Sequence, residues 1–380
     1  MKKIPFNLPG MIGREAEYLK QACLSGHFAG NGQYSKKCEE LLEDKLKCQK
    51  VFLTSSCTTA LEMVFILFDV KDGDEVIMPT YAFPSLANAI LLRGGKPVFV
   101  DIRQDTLNID ENKIEEAITS RTKVIAPIHY AGVPSEMERI MKIAKARNLL
   151  VIEDAAGALD SRYKGRFLGT IAELGAISFN ETKNYVCGEG GAILINDKKY
   201  NERAELVREK GTNRAKCFRG EIENYEWVDV GSSFVLADIL AAFLLAQMEE
   251  IDVISAKRKK IFEYYCQNLK GLEEKGMVSL PHFFPEALVN YHMFYLLLNN
   301  RQERDVLRNK LKEAGIMAAC HYGPLHLSPM GRKIGYTRGM FPVAENISER
   351  LLRLPFYNGL VERDQERVVE QIKNILLKRS

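Results

Sequence analysis

No Cys-x-x-Cys pair occurs among the eight cysteines (23, 38, 48, 57, 187, 217, 266 and 320) of this 380-residue chain, and the six histidines take no zinc-type spacing with them. A metal site is not expected. Most of the thiols read as small buried side chains in a reducing compartment; Cys57 and Cys187 stand out by position only. Charge of one sign is also missing: 53 Lys and Arg against 50 Asp and Glu leave a net charge of +3, which is no electrostatic footprint for nucleic acid. Long apolar runs are absent as well. The best helix candidate, 234–248, is interrupted by Asp238 and too short to span a bilayer. The start Met1-Lys2-Lys3-Ile4-Pro5-Phe6-Asn7 has two lysines with no apolar stretch behind them, which argues against a secretory leader. A soluble cytoplasmic protein is expected. There is no internal repeat, no low-complexity segment and no GK[ST] phosphate loop. The glycine cluster 188–191 precedes a strand instead of opening a helix, so it is no dinucleotide fingerprint.

What is present is a 46% hydrophobic chain, long enough for a sizeable core and two domains. Short β-branched runs at 51–54, 75–78, 97–101, 124–129, 149–153, 176–179 and 192–196 alternate with helical patterns at 58–68, 83–93, 112–118 and 135–147. Such alternation predicts an α/β domain with a mostly parallel sheet flanked by helices. After a long helical stretch over 237–269 the texture changes to a strand at 289–298 and helices at 302–314, 348–354 and 365–377. We expect a large domain over 1–250 and a smaller α+β domain over 251–380. The glycine-punctuated stretch 210–233 has the length of a functional loop.

Lys183 is set between a strand and the glycine cluster that feeds the next one. An amine held there and partly desolvated loses basicity and can condense with a carbonyl. In Thr54-Ser55-Ser56-Cys57-Thr58-Thr59 a strand turns directly into a helix, whose free amides and neighbouring hydroxyls suit a phosphate. Taken alone, that run reads first as a Ser/Thr cap. Asp154 follows a buried strand at the end where ligands bind in open α/β sheets. It could cap a helix, ligate a metal or face a ring nitrogen. Phe83, past another strand end, is core or a stacking face for a planar group. Ser178 is an ordinary strand serine or a further hydroxyl for the same phosphate. His321 and His326, in a proline-containing loop, make no metal site; they bind substrate or lie on the surface.

A phosphate-type helix start, a stacking aromatic, a strand-end aspartate and a strand-end lysine, in that order, resemble a fold-type I pyridoxal-phosphate enzyme. More narrowly, Ser178-Phe179 with Lys183 and Gly188-Glu189-Gly190-Gly191 resembles the DegT/DnrJ/StrS nucleotide-sugar aminotransferases. The likeness extends over nearly the whole chain, through 74–79, 98–101, 108–110 and 341–345. It implies pyridoxal phosphate bound by Cys57, Thr58, Phe83, Asp154, Ser178, Lys183 and Ser233, with Lys183 and Asp154 catalytic, and substrate contacts from Tyr185, Arg214, His321, Tyr322 and His326. It also implies glutamate as amino donor and a homodimer in which 210–233 crosses to the partner's site.

The segments 181–185, 209–214 and 229–233 resemble the subgroup that makes dTDP-4-amino-4,6-dideoxygalactose for surface polysaccharides, by transfer to C4 of a dTDP-4-keto-6-deoxyhexose. Ser233 and Val235 stand where most of the family has asparagine and arginine, and that asparagine reaches the neighbouring subunit's cofactor phosphate. Gly157 stands where the family has a glutamine near the cofactor's ring hydroxyl. The gluco epimer and other nucleotide sugars remain alternatives. In the family's dehydratases histidine replaces the lysine, so Lys183 points to transamination. A non-catalytic cofactor-binding regulator would leave the lysine without a purpose.

Overall fold

The computed structural model describes residues 3–378; Met1 and Lys2, part of the stretch read for a leader, lie outside the described residues. The central sheet has seven strands in the spatial order Lys50–Thr54, Gly191–Ile195, Leu174–Ser178, Leu150–Asp154, Thr122–Ile125, Glu75–Pro79 and Lys96–Val100. Gly191–Ile195 runs antiparallel to both neighbours, and the other six strands share one direction. Glu75–Pro79, Leu174–Ser178 and Gly191–Ile195 are buried along their whole length, as strands covered on both faces must be. Side chains alternate across the pleat. Phe52, Met78, Ile152 and Ile193 enter the core on one face, and Val51, Leu53, Ile77, Val151 and Leu194 enter the core on the other.

Shared strand direction brings the carboxyl ends of these strands to one edge. There Thr54 passes into the helix Cys57–Leu67. Ser56 caps it by accepting from the Thr59 amide while the Thr59 side chain reaches back to the Ser56 amide, a cap worth about 1 kcal/mol. The neighbouring strand passes close beneath: a Cβ on Gly191 would lie 2.3 Å from the Cys57 nitrogen, so only glycine lets the two backbones approach.

A second sheet, Val278–Ser279, Tyr295–Leu298 and Leu351–Arg353, packs with the helices Ile251–Glu274, Arg301–Glu313 and Glu362–Leu377 around Tyr265, Phe294, Leu307, Leu352 and Ile372. Ile4 joins this core and bridges to Ile316, so the amino-terminal segment packs with the carboxyl-terminal part of the chain. The long helical stretch expected from 237 is two helices, Asp238–Glu249 and Ile251–Glu274. Among the described residues no helix is long and apolar enough to cross a membrane.

Two expectations are corrected. The strand read over 289–298 forms only at Tyr295–Leu298, because Tyr291 takes a positive φ of 51° and the carbonyls of Tyr291 and His292 go to Arg258. The helix read over 348–354 is the end of Pro342–Arg350 followed by the strand Leu351–Arg353. Arg350 donates through Nε to the Leu298 carbonyl, and the chain then extends to pair with Tyr295–Leu297.

Candidate active site

A cavity of about 550 Å³ opens at the carboxyl edge of the sheet, a size suited to a cofactor with a substrate. Cys57, Thr58, Phe83, Asp154, Ser178 and Lys183 line it from the large sheet side, and His321 and Tyr322 from the carboxyl-terminal side. Eight of the sequence-predicted site residues therefore converge.

The helix start can hold a phosphate. Ser56 takes the Thr59 amide, and the amides of Cys57 and Thr58 have no protein acceptor among the described residues. Thr58 Oγ1 lies 2.7 Å from Ser85 Oγ, and the Ser178 hydroxyl accepts from the Asn180 amide, which leaves its own hydrogen to donate. Burial pushes the Cys57 thiol well above its ordinary value of 9.0, so it acts here as a small neutral wall.

Asp154 is buried, and one of its oxygens accepts from the Ala156 amide at 3.0 Å. The other has no partner among the described residues and can take an N–H of a bound ring. Desolvation raises this carboxyl above its ordinary 3.8, against the pull of the Ala156 amide, Lys183 and His129. A cation brought against it would reverse that shift. His129, next to it, accepts from the Ser135 amide at Nδ1, so Nε2 carries the proton and donates to Glu153 at 2.9 Å. Three backbone amides, of Gly169, Ile171 and Ala172, complete the Glu153 carboxylate.

Lys183 makes no ion pair among the described residues. Burial lowers its basicity below the ordinary 10.5, with Cys57 and Asp154 opposing. The result is an amine more readily neutral than a surface lysine, facing a carboxyl and a phosphate-type helix start across one cavity.

Four expected contacts are not brought into this chain's cavity. Tyr185 is buried in the core with its hydroxyl 2.8 Å from Ser255 Oγ, which corrects its reading as a substrate contact. His326 is fully buried between Thr80 at 2.7 Å and Glu345 at 3.0 Å; it ties the loop to the sheet and is not a substrate ligand of this cavity. Arg214 pairs with Glu209 at 3.5 Å and lies over the Phe218 ring, while Ser233 is exposed and bridges to Glu209. Both belong to the stretch expected to cross to a partner, and neither lines the cavity of its own chain.

Sequence reasoning missed His129, Tyr130, His292 and Arg353, all in the cavity wall. His292 is held by Asn184 at 2.9 Å through Nδ1, and its ring stands where a side chain on residue 157 would go. A signal for it existed in the glycine at 157, which leaves space that something else must fill.

The family model described as the DegT/DnrJ/EryC1/StrS aminotransferase family matches residues 10–373. The chain belongs to this family. The GDP-perosamine synthase of Escherichia coli O157:H7 is 33% identical over 361 residues, covering 95% of each chain. The spore coat polysaccharide biosynthesis protein SpsC of Bacillus subtilis (strain 168) is 30% identical over 381 residues, covering 98% of this chain and 97% of the other. Among solved structures, the PLP form of the putative sugar aminotransferase Spr1654 from Streptococcus pneumoniae superimposes with a TM-score of 0.92, at 25% identity and 99% coverage of both chains. This DegT/DnrJ/EryC1/StrS member is a nucleotide-sugar aminotransferase of fold type I, and its cofactor is pyridoxal phosphate. The cavity fits that group on its own evidence: among the described residues, two amides at a helix start and one carboxylate oxygen in its wall have no partner, and an amine there is desolvated.

Proposed function

We propose that the enzyme moves an amino group from glutamate to C4 of a dTDP-4-keto-6-deoxyhexose, giving dTDP-4-amino-4,6-dideoxygalactose for surface polysaccharide biosynthesis in the cytoplasm. The observation that carries this reading is the Lys183 amine, in no ion pair among the described residues, in one cavity with Asp154. A lysine at this place serves proton transfer in both directions.

Pyridoxal phosphate supplies, when bound, an electron sink that lets an amine-bearing carbon give up its proton. Lys183 would hold the cofactor through its amine and, when that amine is free, would take up and give back a proton at Nζ as general base and acid. Asp154 would accept the N–H of the bound ring and so favour its protonated form. Phe83, 60% exposed at the cavity mouth, offers its face to the ring. Cys57, Thr58 and Ser178 would seat the phosphate, and His321 and Tyr322 would meet the sugar. Burial, with the charges of Arg353 and Lys183, pushes the His321 imidazole down to about 2, so it meets the sugar as a neutral hydrogen-bonding ring.

The homodimer is part of the proposal. Phe218, Tyr225 and Trp227 are 73%, 57% and 78% exposed on the stretch expected to cross to the partner's site, where Arg214 and Ser233 would act. Rings this open are covered most naturally by a second copy.

A second reading replaces dTDP by GDP, because a relative at 33% identity is named a GDP-perosamine synthase. Borohydride reduction of the loaded protein followed by peptide mass mapping is expected to leave the cofactor's mass on Lys183. Lys183→Ala is expected to lose at least about 1,000-fold in turnover; transamination at the wild-type rate in that variant would sink the assignment.

A further inference from the structure

We propose that Nε2 of His292 accepts the hydrogen of the ring hydroxyl of bound pyridoxal phosphate, an inference that rests on the seating of the cofactor proposed above. His292 is 7% exposed, and its ring forms part of the wall of the cavity that holds Lys183. The residue that holds it decides which nitrogen carries its hydrogen. Asn184 Nδ2 donates to the Asn290 carbonyl at 2.8 Å, and this turns Oδ1 of the same amide toward His292 Nδ1, at 2.9 Å. An amide oxygen only accepts, so Nδ1 is the protonated nitrogen. Burial and the nearby charges of Lys183, Arg353 and Arg258 keep the ring neutral. Nε2 is left with a bare lone pair.

Among the described residues the other buried histidines have both ring nitrogens engaged. His129 is held by the Ser135 amide and Glu153, and His326 by Thr80 and Glu345. His292 Nε2 has no partner among the described residues. Asn290 fixes the place as well as the tautomer: its side chain donates to the carbonyls of Gly157 and Leu159, both at 2.9 Å, and so holds Gly157 beneath the imidazole. A buried acceptor left without a donor is costly. Nε2 is thus a preformed half of a hydrogen bond that a ligand completes.

Position selects the donor. Pyridoxal phosphate carries its groups in a fixed order round the ring: nitrogen, methyl, hydroxyl, aldehyde, phosphate arm. With the nitrogen against Asp154, the aldehyde carbon at Lys183 and the phosphate at the start of the helix Cys57–Leu67, the hydroxyl faces away from that helix, between Lys183 and Asp154. His292 is on that side. Its ring stands over Gly157, whose carbonyl lies 3.3 Å from where a Cβ on Gly132 would be. Gly132 follows the strand Thr122–Ile125, which lies beyond Leu150–Asp154 as seen from Lys50–Thr54. The ring offers hydrogens to a protein acceptor on its nitrogen and on its hydroxyl; Asp154 would take the first and His292 the second. A hydroxyl that donates to a locked acceptor keeps its proton.

The test compares pyridoxal phosphate with 3-deoxypyridoxal 5'-phosphate, which has hydrogen in place of the ring hydroxyl, as ligands of the cofactor-free enzyme. The preference for pyridoxal phosphate, as a ratio of dissociation constants, is expected to be about 10-fold larger in the wild type than in His292→Phe, which keeps a ring over Gly157 without the acceptor. Asn184→Ala, which frees the imidazole to carry its hydrogen on Nε2, should fall between. Absorbance gives an independent reading: the loaded wild type should hold more of the short-wavelength form, with the hydroxyl protonated, than loaded His292→Phe. A preference equal in the two proteins within about twofold, or an absorbance shift the other way, overturns the contact alone. So does an equal preference with a raised KM for the nucleotide sugar in His292→Phe, which gives Nε2 to a sugar hydroxyl. A wild-type enzyme that captures neither compound at Lys183 overturns the seating of the cofactor and the contact with it. Should His292→Phe fail to fold, 15N NMR of histidine-labelled wild type decides: His292 protonated at Nδ1 and hydrogen-bonded at Nε2 after loading supports the contact, and a hydrogen carried on Nε2 overturns it.

Discussion

The His292 ring stands over Gly157: a Cβ built on that glycine would lie 2.8 Å from Cδ2 and 3.1 Å from Nε2 of the imidazole. Asn184 fixes the ring from the other side at Nδ1, and burial with several nearby positive charges holds the imidazole well below its ordinary 6.5. His292 is thus a neutral, oriented ring whose Nε2 borders the cofactor cavity. Gly157→Gln is expected to destabilise the protein by about 1–3 kcal/mol through overpacking. In Gly157→Gln/His292→Ala most of that cost should be relieved. Denaturant unfolding of the four proteins of the cycle measures the coupling, and strictly additive effects would show that the two side chains do not compete for one space.

Asp154→Asn removes the carboxylate proposed to face the ring nitrogen and keeps the shape of the side chain. Turnover is expected to fall roughly 100-fold, from about 3 kcal/mol of a charge-assisted hydrogen bond, with thermal stability equal or higher because a desolvated acid has gone. Steady-state kinetics beside a melting curve check both halves. An unchanged turnover would place the ring nitrogen elsewhere.

Lys183 sets a pH dependence with a definite sign. Its folded value lies below 10.5, so between that value and 10.5 the folded, cofactor-free protein binds fewer protons than the unfolded chain. This group's contribution to stability therefore rises with pH across that window. The rate of pyridoxal-phosphate capture by cofactor-free enzyme should rise with pH to a midpoint below 10.5, measured by stopped-flow absorbance. A midpoint at the ordinary lysine value would mean that the amine is solvated.

His326 bridges Thr80 and Glu345. His326→Ala leaves a cavity and two unpaired groups, and is expected to cost about 2–4 kcal/mol of stability. KM for the nucleotide sugar should stay within about threefold, as expected of a group outside the substrate's reach. A large rise in KM at unchanged stability would restore His326 to the substrate site.

Residues that ended a strand of the parallel sheet were legible, because the fold itself carries those ends to one edge: Cys57, Thr58, Phe83, Asp154, Ser178 and Lys183 all meet there. Loop side chains were not. Tyr185 lies two residues from Lys183 yet turns into the core, and His326 lies five from His321 yet turns under the loop, since no periodicity sets direction outside helices and strands. Arg353 was hidden for a different reason. Its neighbours Leu351, Leu352 and Leu354 continue the apolar pattern of the preceding helix, and only pairing with Tyr295–Leu297, over fifty residues away in sequence, makes the segment a strand. His292 was missed because a positive-φ turn at Tyr291 interrupts what reads as one strand.

The account turns on whether this cavity delivers nitrogen to a sugar ketone. Enzyme loaded with pyridoxal phosphate, [15N]glutamate and a panel of dTDP- and GDP-linked 4-keto-6-deoxyhexoses should yield a product whose NMR spectrum places 15N on C4, with the galacto configuration on the dTDP sugar. A sugar that loses a hydroxyl without gaining 15N, or no labelled sugar from any member of the panel, would contradict it.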